Sequence, residues 1–154
     1  MKKPDAARVG LLIASECLSV RVRSLARVIT RIYDAALARH GVSTAQMNLL
    51  AAIAVSGGAR AADLTRVLEM EKSTLSRDLQ RMEQLGWIRS HGASRGRGRA
   101  VTLTPAGSRL LVDLEQTWNK AQAAVEQQLG RHQFARLRDA LPSPLKSASR
   151  HVTA

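Results

Sequence analysis

Ser73, Thr74, Ser76, Arg77, Gln80 and Arg81 are the residues of this chain whose types and spacing could do chemistry. They lie in the stretch EKSTLSRDLQRMEQLG, where Leu75, Leu79 and Met82 recur at i, i+4 and i+7 and so share one helical face. At about 100° per residue, Ser73, Arg77, Gln80 and Gln84 line the opposite face, with Thr74, Ser76 and Arg81 beside them. That stripe offers hydroxyls, amides and guanidiniums, and no carboxylate. Glu71 and Asp78 rotate toward the apolar side, and Glu83 sits at the margin. A solvated helix face usually mixes both charge signs, often in i, i+4 pairs. A face that excludes acids while offering Arg, Gln, Ser and Thr suits phosphates and base edges. Taken alone, the stripe fits a DNA-reading face and an ordinary polar face equally well.

The flanking elements separate these two readings. Upstream, Ala61, Leu64 and Leu68 mark a short helix, and Glu69, Met70 and Glu71 make a tight connection into the next. Two short helices in this order form a helix-turn-helix, whose second member enters the major groove. Downstream, Gly86 stops the helix, since glycine adopts the left-handed capping conformation cheaply. Residues 87–91 and 99–103 then read as short strands, and in the second Val101 and Leu103 alternate with Ala100 and Thr102. Between them lies GASRGRG, which carries Arg95 and Arg97, with Arg99 just beyond; residues 86–112 contain no acid. A hairpin with a cationic, glycine-flexible tip beside such a helix is a wing able to contact phosphates or the minor groove. The alternative is a mobile basic loop, which leaves the hairpin frame unexplained.

On STLSRDLQRMEQLGWI, the basic hairpin and the strand-to-helix junction VTLTPAG, the sequence resembles the multiple-antibiotic-resistance regulator (MarR) family of bacterial winged-helix transcription factors. Long helices on either side of the winged stretch extend the resemblance over nearly the whole chain. The implied fold is mainly α with a small β-hairpin wing: a winged helix-turn-helix plus helical dimerisation lobe. The winged DNA-binding domain would span 43–104, and the lobe 10–41 and 105–150. The implied function is regulation of transcription, usually as a repressor, by a homodimer on a pseudo-palindromic operator in double-stranded DNA. A twofold dimer spaces its recognition helices about 34 Å apart, one DNA turn. One departure concerns the wing. Arg95 stands where the family often has the Asp of an Asp-x-Arg pair, while Arg97 keeps the arginine. The usual ion pair is thereby lost and positive charge is added.

The terminal segments must position this unit. Residues 11 to about 39 carry a helical pattern with no proline or glycine, predicting one long helix after a polar, frayed start. Leu18, Val22, Leu25, Ile29, Ile32 and Ala36 form a near-heptad seam along it, more apolar surface than the winged unit could cover. Arg23, Arg27 and Arg31 stack one turn apart on its polar side, as a solvated face or as a cationic wall for an anion. Gly41 ends that helix, and Ser43 with Gln46 fits a capping box that opens the next. Thr104 and Pro105 restart a helix after the wing. Leu114, Trp118, Ala121 and Val125 continue a second seam, and a last helix covers about 133–141. The family resemblance implies an effector pocket between lobe and winged unit for a small anionic aromatic, or phenolic, ligand. Arg23, Arg27, Arg31, Tyr33 and Trp118 are the candidates to line it: arginine for a carboxylate, the rings for the ligand's apolar body. A plain core tryptophan and solvated arginines are the competing reading.

Composition bounds the rest. The 154 residues hold 24 Lys and Arg against 12 Asp and Glu, a formal charge of +12, which favours an anionic partner. A hydrophobic content of 45% is that of a globular chain. No stretch of 18 apolar residues spans a membrane, and the run at Leu11 is too short for a signal-peptide core, so a cytoplasmic location is expected. The single cysteine, Cys17, excludes an internal disulfide. Some relatives sense peroxides through a cysteine in the first helix. Arg21 would favour a thiolate at Cys17, Glu16 opposes it, and Tyr33 is the sole tyrosine, so a redox-sensing regulator and a structural cysteine both stay open. The four histidines lack metal-ligand spacing, and no nucleotide-binding glycine pattern or carboxylate pair occurs. No enzyme activity, metal or cofactor is expected. A non-specific basic nucleic-acid-binding protein and a cationic membrane-surface scaffold share the charge, but neither needs the neutral hydrogen-bonding residues of the 73–84 face.

Overall fold

The computed structural model describes residues 5–92, 100–141 and 143. Helix α1 (Ala6–Glu16) starts where the Asp5 carboxylate accepts from the N–H groups of Ala7 and Arg8, so the start expected to fray is ordered helix from Ala6. The single long helix predicted from residue 11 is in fact two. Backbone at Cys17 turns extended, with φ −67° and ψ 113°, and α2 (Leu18–Leu37) begins beyond it. The Arg21 side chain folds back across this break and donates to the Ser15 carbonyl, satisfying one of the acceptors that a helix end leaves open. No proline or glycine marks the break, so periodicity alone runs straight through it.

A 3-10 turn (Ala38–His40) leads to Gly41, whose φ of 67° ends the segment. Helix α3 (Thr44–Ser56) opens with the predicted capping box: the Ser43 hydroxyl accepts from the Gln46 N–H, and the Gln46 carbonyl accepts from the Ser43 N–H, each at 3.2 Å. Then follow β1 (Ala59–Arg60), α4 (Ala61–Leu68), α5 (Lys72–Gln84), β2 (Ile88–His91) and β3 (Ala100–Leu103). The C-terminal part is α6 (Pro105–Asp113), α7 (Glu115–Leu129) and α8 (Arg131–Ala140). The fold is mainly helical with a small antiparallel sheet, the winged-helix arrangement.

The sheet has three strands in the order β1-β3-β2 rather than the hairpin alone. The unforeseen β1 pairs Ala59 with Val101 and Arg60 with Ala100. Two residues are too few to show a period of two in sequence. Leu49, Leu50 and Ile53 of α3 form the middle of the core, covered by Leu64, Leu75, Met82, Ile88 and Val101. Helices α2 and α7 pack side by side, and the Tyr33 hydroxyl donates to the Gln122 carbonyl across them. The seam of α7 differs from the expected one at a single position: Thr117 is buried, while Trp118 is 40% exposed. Polar partners explain the choice, since the Arg39 guanidinium donates to the Thr117 hydroxyl and His40 Nε2 lies 2.9 Å from it. Among the described residues, no helix is long and apolar enough to cross a membrane.

Candidate nucleic-acid interface

The turn between α4 and α5 is closed by Glu69 in the left-handed region, φ 50°, with the Met70 N–H bonded to the Thr65 carbonyl at 3.2 Å. A non-glycine residue held there is strained by about 1 kcal/mol or more, which the tight junction requires. Glu71, the residue that leads into α5, makes no capping bond with its side chain, and the first turn of the helix contains no acid. Among the described residues, no side chain caps the leading N–H groups of α5, the condition under which a helix N-terminus attracts anions.

Along α5, Leu75 and Met82 are buried and Leu79 is half-buried, as the periodicity predicts. Ser73, Ser76, Arg77, Gln80 and Arg81 are exposed, and Thr74 is half-buried. The Arg77 guanidinium lies along its own helix, donating to the Ser73 carbonyl at 3.3 Å and the Thr74 hydroxyl at 3.4 Å. Both bonds are long and solvent-facing, so little opposes their exchange for an outside acceptor. Two carboxylates of this helix are occupied within the protein. Asp78 accepts from the Gln46 amide at 3.4 Å, and Glu83 accepts from the Ser90 N–H of β2 at 3.0 Å.

The base of the wing is held by Thr104. Its hydroxyl donates to the Gly86 carbonyl at 2.6 Å and accepts from the Gly107 N–H at 3.1 Å, capping α6. Gly107 is buried so tightly that a Cβ there would sit 2.0 Å from the Trp87 carbonyl oxygen. His91 Nε2 and the Thr102 hydroxyl are 2.8 Å apart across β2 and β3. Arg95, Arg97 and Arg99 lie outside the described residues.

A helix-turn-helix and then two paired strands follow one another here, and the model described as MarR family matches residues 40–100. That stretch is similar to the MarR family. No curated protein matches it significantly in sequence. Among solved structures, the chain is similar to a Cys-to-Ser variant of MarR from E. coli complexed with operator DNA. The TM-score is 0.73, with 21% identity over 86% of this chain and 99% of that one. MosR of M. tuberculosis in complex with DNA gives a TM-score of 0.71 and 27% identity, covering 88% of this chain and 98% of that one. BpsR of Bordetella bronchiseptica, whose DNA binding is regulated by 6-hydroxynicotinic acid, gives 0.70 and 17%, covering 82% and 92%.

Three exposed cations escaped the sequence reading: Lys72 at the start of α5, Arg60 on β1 and Arg89 on β2. Their exposure follows from the strand pairing and the start of α5, so no spacing rule finds them. A cleft of about 740 Å³ also opens between α4, α5 and the strands, walled by Leu75, Leu79 and Val101 and edged by Lys72, Ser76 and Gln80.

The candidate effector residues are more dispersed. Arg23, Arg27 and Arg31 are exposed on α2, and Trp118 is partly exposed on α7. Tyr33 is buried with its hydroxyl bonded to Gln122, and burial raises its pKa above the ordinary 10.0. Among the described residues, no hydrogen bond or ion pair joins the three arginines to Tyr33 or Trp118. Cys17 is a free, half-buried thiol at the break between α1 and α2. Arg21, expected to favour its thiolate, instead turns its guanidinium to the Ser15 carbonyl.

Proposed function

We propose that this chain is a homodimeric, sequence-specific transcription regulator, a repressor in its simplest form, that reads a pseudo-palindromic operator with α5. The observation that carries this reading is the acid-free outer face of α5. Ser73, Ser76, Arg77, Gln80 and Arg81 face solvent there, while Asp78 and Glu83 are bonded within the protein. Arg77 reaches a base edge or its flanking phosphate, Gln80 and the hydroxyls bond beside it, and Thr74 steadies the guanidinium. Arg60, Lys72 and Arg89, with Arg95, Arg97 and Arg99 of the wing, neutralise phosphates. The DNA complexes of the E. coli and M. tuberculosis relatives support the same use of the fold. A lobe built from 10–41 and 105–150 would join two winged units, each spanning 43–104, and the exposed Leu11, Leu12, Ile13 and Leu18 supply apolar surface for that contact.

The release signal in this reading is a small anionic aromatic compound, which the ligand-regulated BpsR supports by its own example. The cleft beside α5 suits such a ligand: apolar walls for the ring, and the Lys72 ammonium for the carboxylate. An occupant would cover Ser76 and Gln80, and so compete with DNA. Arg23, Arg27, Arg31, Tyr33 and Trp118 offer a second location along α2 and α7. A redox reading rests on Cys17, free at the helix break; MarR of E. coli is known in reduced and oxidised forms.

Selection of bound fragments from a random DNA pool, followed by competition with scrambled DNA at physiological salt, tests the central reading. Arg77→Ala should weaken binding to the selected site by about 1–3 kcal/mol with an unchanged circular dichroism spectrum. Equal affinity for selected and scrambled DNA would replace a sequence-specific regulator with a non-specific basic nucleic-acid binder.

A further inference from the structure

We infer that Gln46 is a positioning residue for the reading face of α5, through a polar bridge that runs from α2 across the start of α3 to Asp78. The inference rests on α5 being the reading helix. Burial of Leu75 and Met82 holds α5 on the core, but apolar burial is non-directional and leaves the helix free to roll about its axis. A hydrogen bond is directional and restricts that roll, as Glu83 does at the far end of α5 by accepting from Ser90. The Gln46 side chain is used at both ends: its carbonyl accepts from the Ser43 N–H at 3.2 Å, and its amide donates to Asp78 at 3.4 Å.

The same helix start is gripped from the other side. Asp34 of α2 accepts from the Thr44 N–H at 2.7 Å and from the Thr44 hydroxyl at 2.6 Å. Asp34, the Ser43–Gln46 cap and Asp78 therefore form one polar run linking α2, α3 and α5. Asp78 is the neighbour of Arg77 in sequence, so anchoring one inward sets the direction in which the other projects. A shift of α2 relative to the core moves the cap, and with it the azimuth of Ser73, Arg77 and Gln80.

Gln46→Glu separates this role from simple helix capping. The introduced carboxylate still accepts from Ser43, and its charge favours the N-terminus of α3. It has lost the donor and opposes the Asp78 carboxylate. A residue that only caps α3 tolerates the change; a bridge does not. Adding Asp78→Asn returns an amide donor on the α5 side and restores the net charge. The readouts are the ratio of affinities for selected over scrambled DNA, the melting temperature, and amide hydrogen exchange along α5 in the free protein.

We expect Gln46→Glu to lower the affinity ratio by about tenfold and to speed exchange in α5 while the melting temperature holds. The double variant should recover both. The bridge is overturned if Gln46→Glu leaves ratio and exchange unchanged, or if Asp78→Asn repairs neither. If the unaltered protein prefers no DNA sequence, the regulator reading falls, and the exchange rates still decide the bridge.

Discussion

Leu64, Leu75, Met82, Ile88 and Val101 of the winged unit are each 2% exposed or less, whereas Leu11 and Leu18 near the N-terminus are each 72% exposed. Side chains of one chemical class meet opposite fates because their elements have different numbers of layers around them. In the winged unit, three helices and a sheet contribute to one core, which Tyr33 and Leu37 of α2 and Ala121 and Val125 of α7 also join. Helix α1 has no buried residue at all, and α2 buries only Tyr33 and Leu37. A lone exposed leucine is ordinary, but Leu11, Leu12, Ile13, Leu18 and Val22 are each more than half exposed, a concentration of apolar surface in one segment. The winged unit buries its apolar side chains within one chain, while those of α1 and the start of α2 stay open in it.

The largest expected effect breaks the self-contained side. Gly107→Ala would drive a Cβ to within 2.0 Å of the Trp87 carbonyl oxygen, part of the backbone that Thr104 also holds. Neither partner is a flexible side-chain end, so the loss should approach the upper range of overpacking, about 3 kcal/mol. Urea unfolding measures it. Wild-type stability in this variant would mean that the wing base shifts freely, and that the winged unit is less tightly closed than its burial suggests.

A middle-sized effect probes the open side. Leu18→Asp alters a residue that one chain leaves exposed, so intramolecular stability should move by no more than about 0.5 kcal/mol. Self-association should weaken by at least about tenfold, the loss typical of an important apolar interface residue. Sedimentation across a concentration series distinguishes the two quantities. Unchanged association would show that the α1–α2 patch is not where copies meet.

The smallest effect sharpens the boundary between the regions. Tyr33→Phe removes the bond to Gln122 that ties α2 to α7, costing about 0.5–1.5 kcal/mol. Its pH dependence follows from burial, which raises the tyrosine pKa above 10.0. The folded state then holds the phenolic proton more tightly than the unfolded one. That stabilisation is complete below pH 10.0 and is lost as pH climbs through the raised folded value. Stability of the unaltered protein should therefore fall more steeply on the alkaline side than that of Tyr33→Phe. Parallel alkaline limbs would place the Tyr33 hydroxyl in solvent.

Apart from the break at Cys17, what depends on residues within about one helical turn of each other was legible in the sequence. The outer stripe of α5, the Ser43–Gln46 capping box, the stops at Gly41 and Gly86, and the Thr104–Pro105 helix start are all of this kind. Each is set by local geometry and needs no distant partner. The features that only the tertiary structure decided all depend on contacts remote in sequence or on side-chain direction. Strand β1 exists because Ala59 and Arg60 meet Val101 and Ala100. Thr117 is buried in place of Trp118 because Arg39 and His40 reach it across a separation of 77 to 78 residues. Arg21 turns to Ser15 rather than to Cys17, and Gln46 reaches Asp78 of α5 from 32 residues away. Helical periodicity tells which way a residue faces on its own element; what waits on that side is determined by how the elements pack.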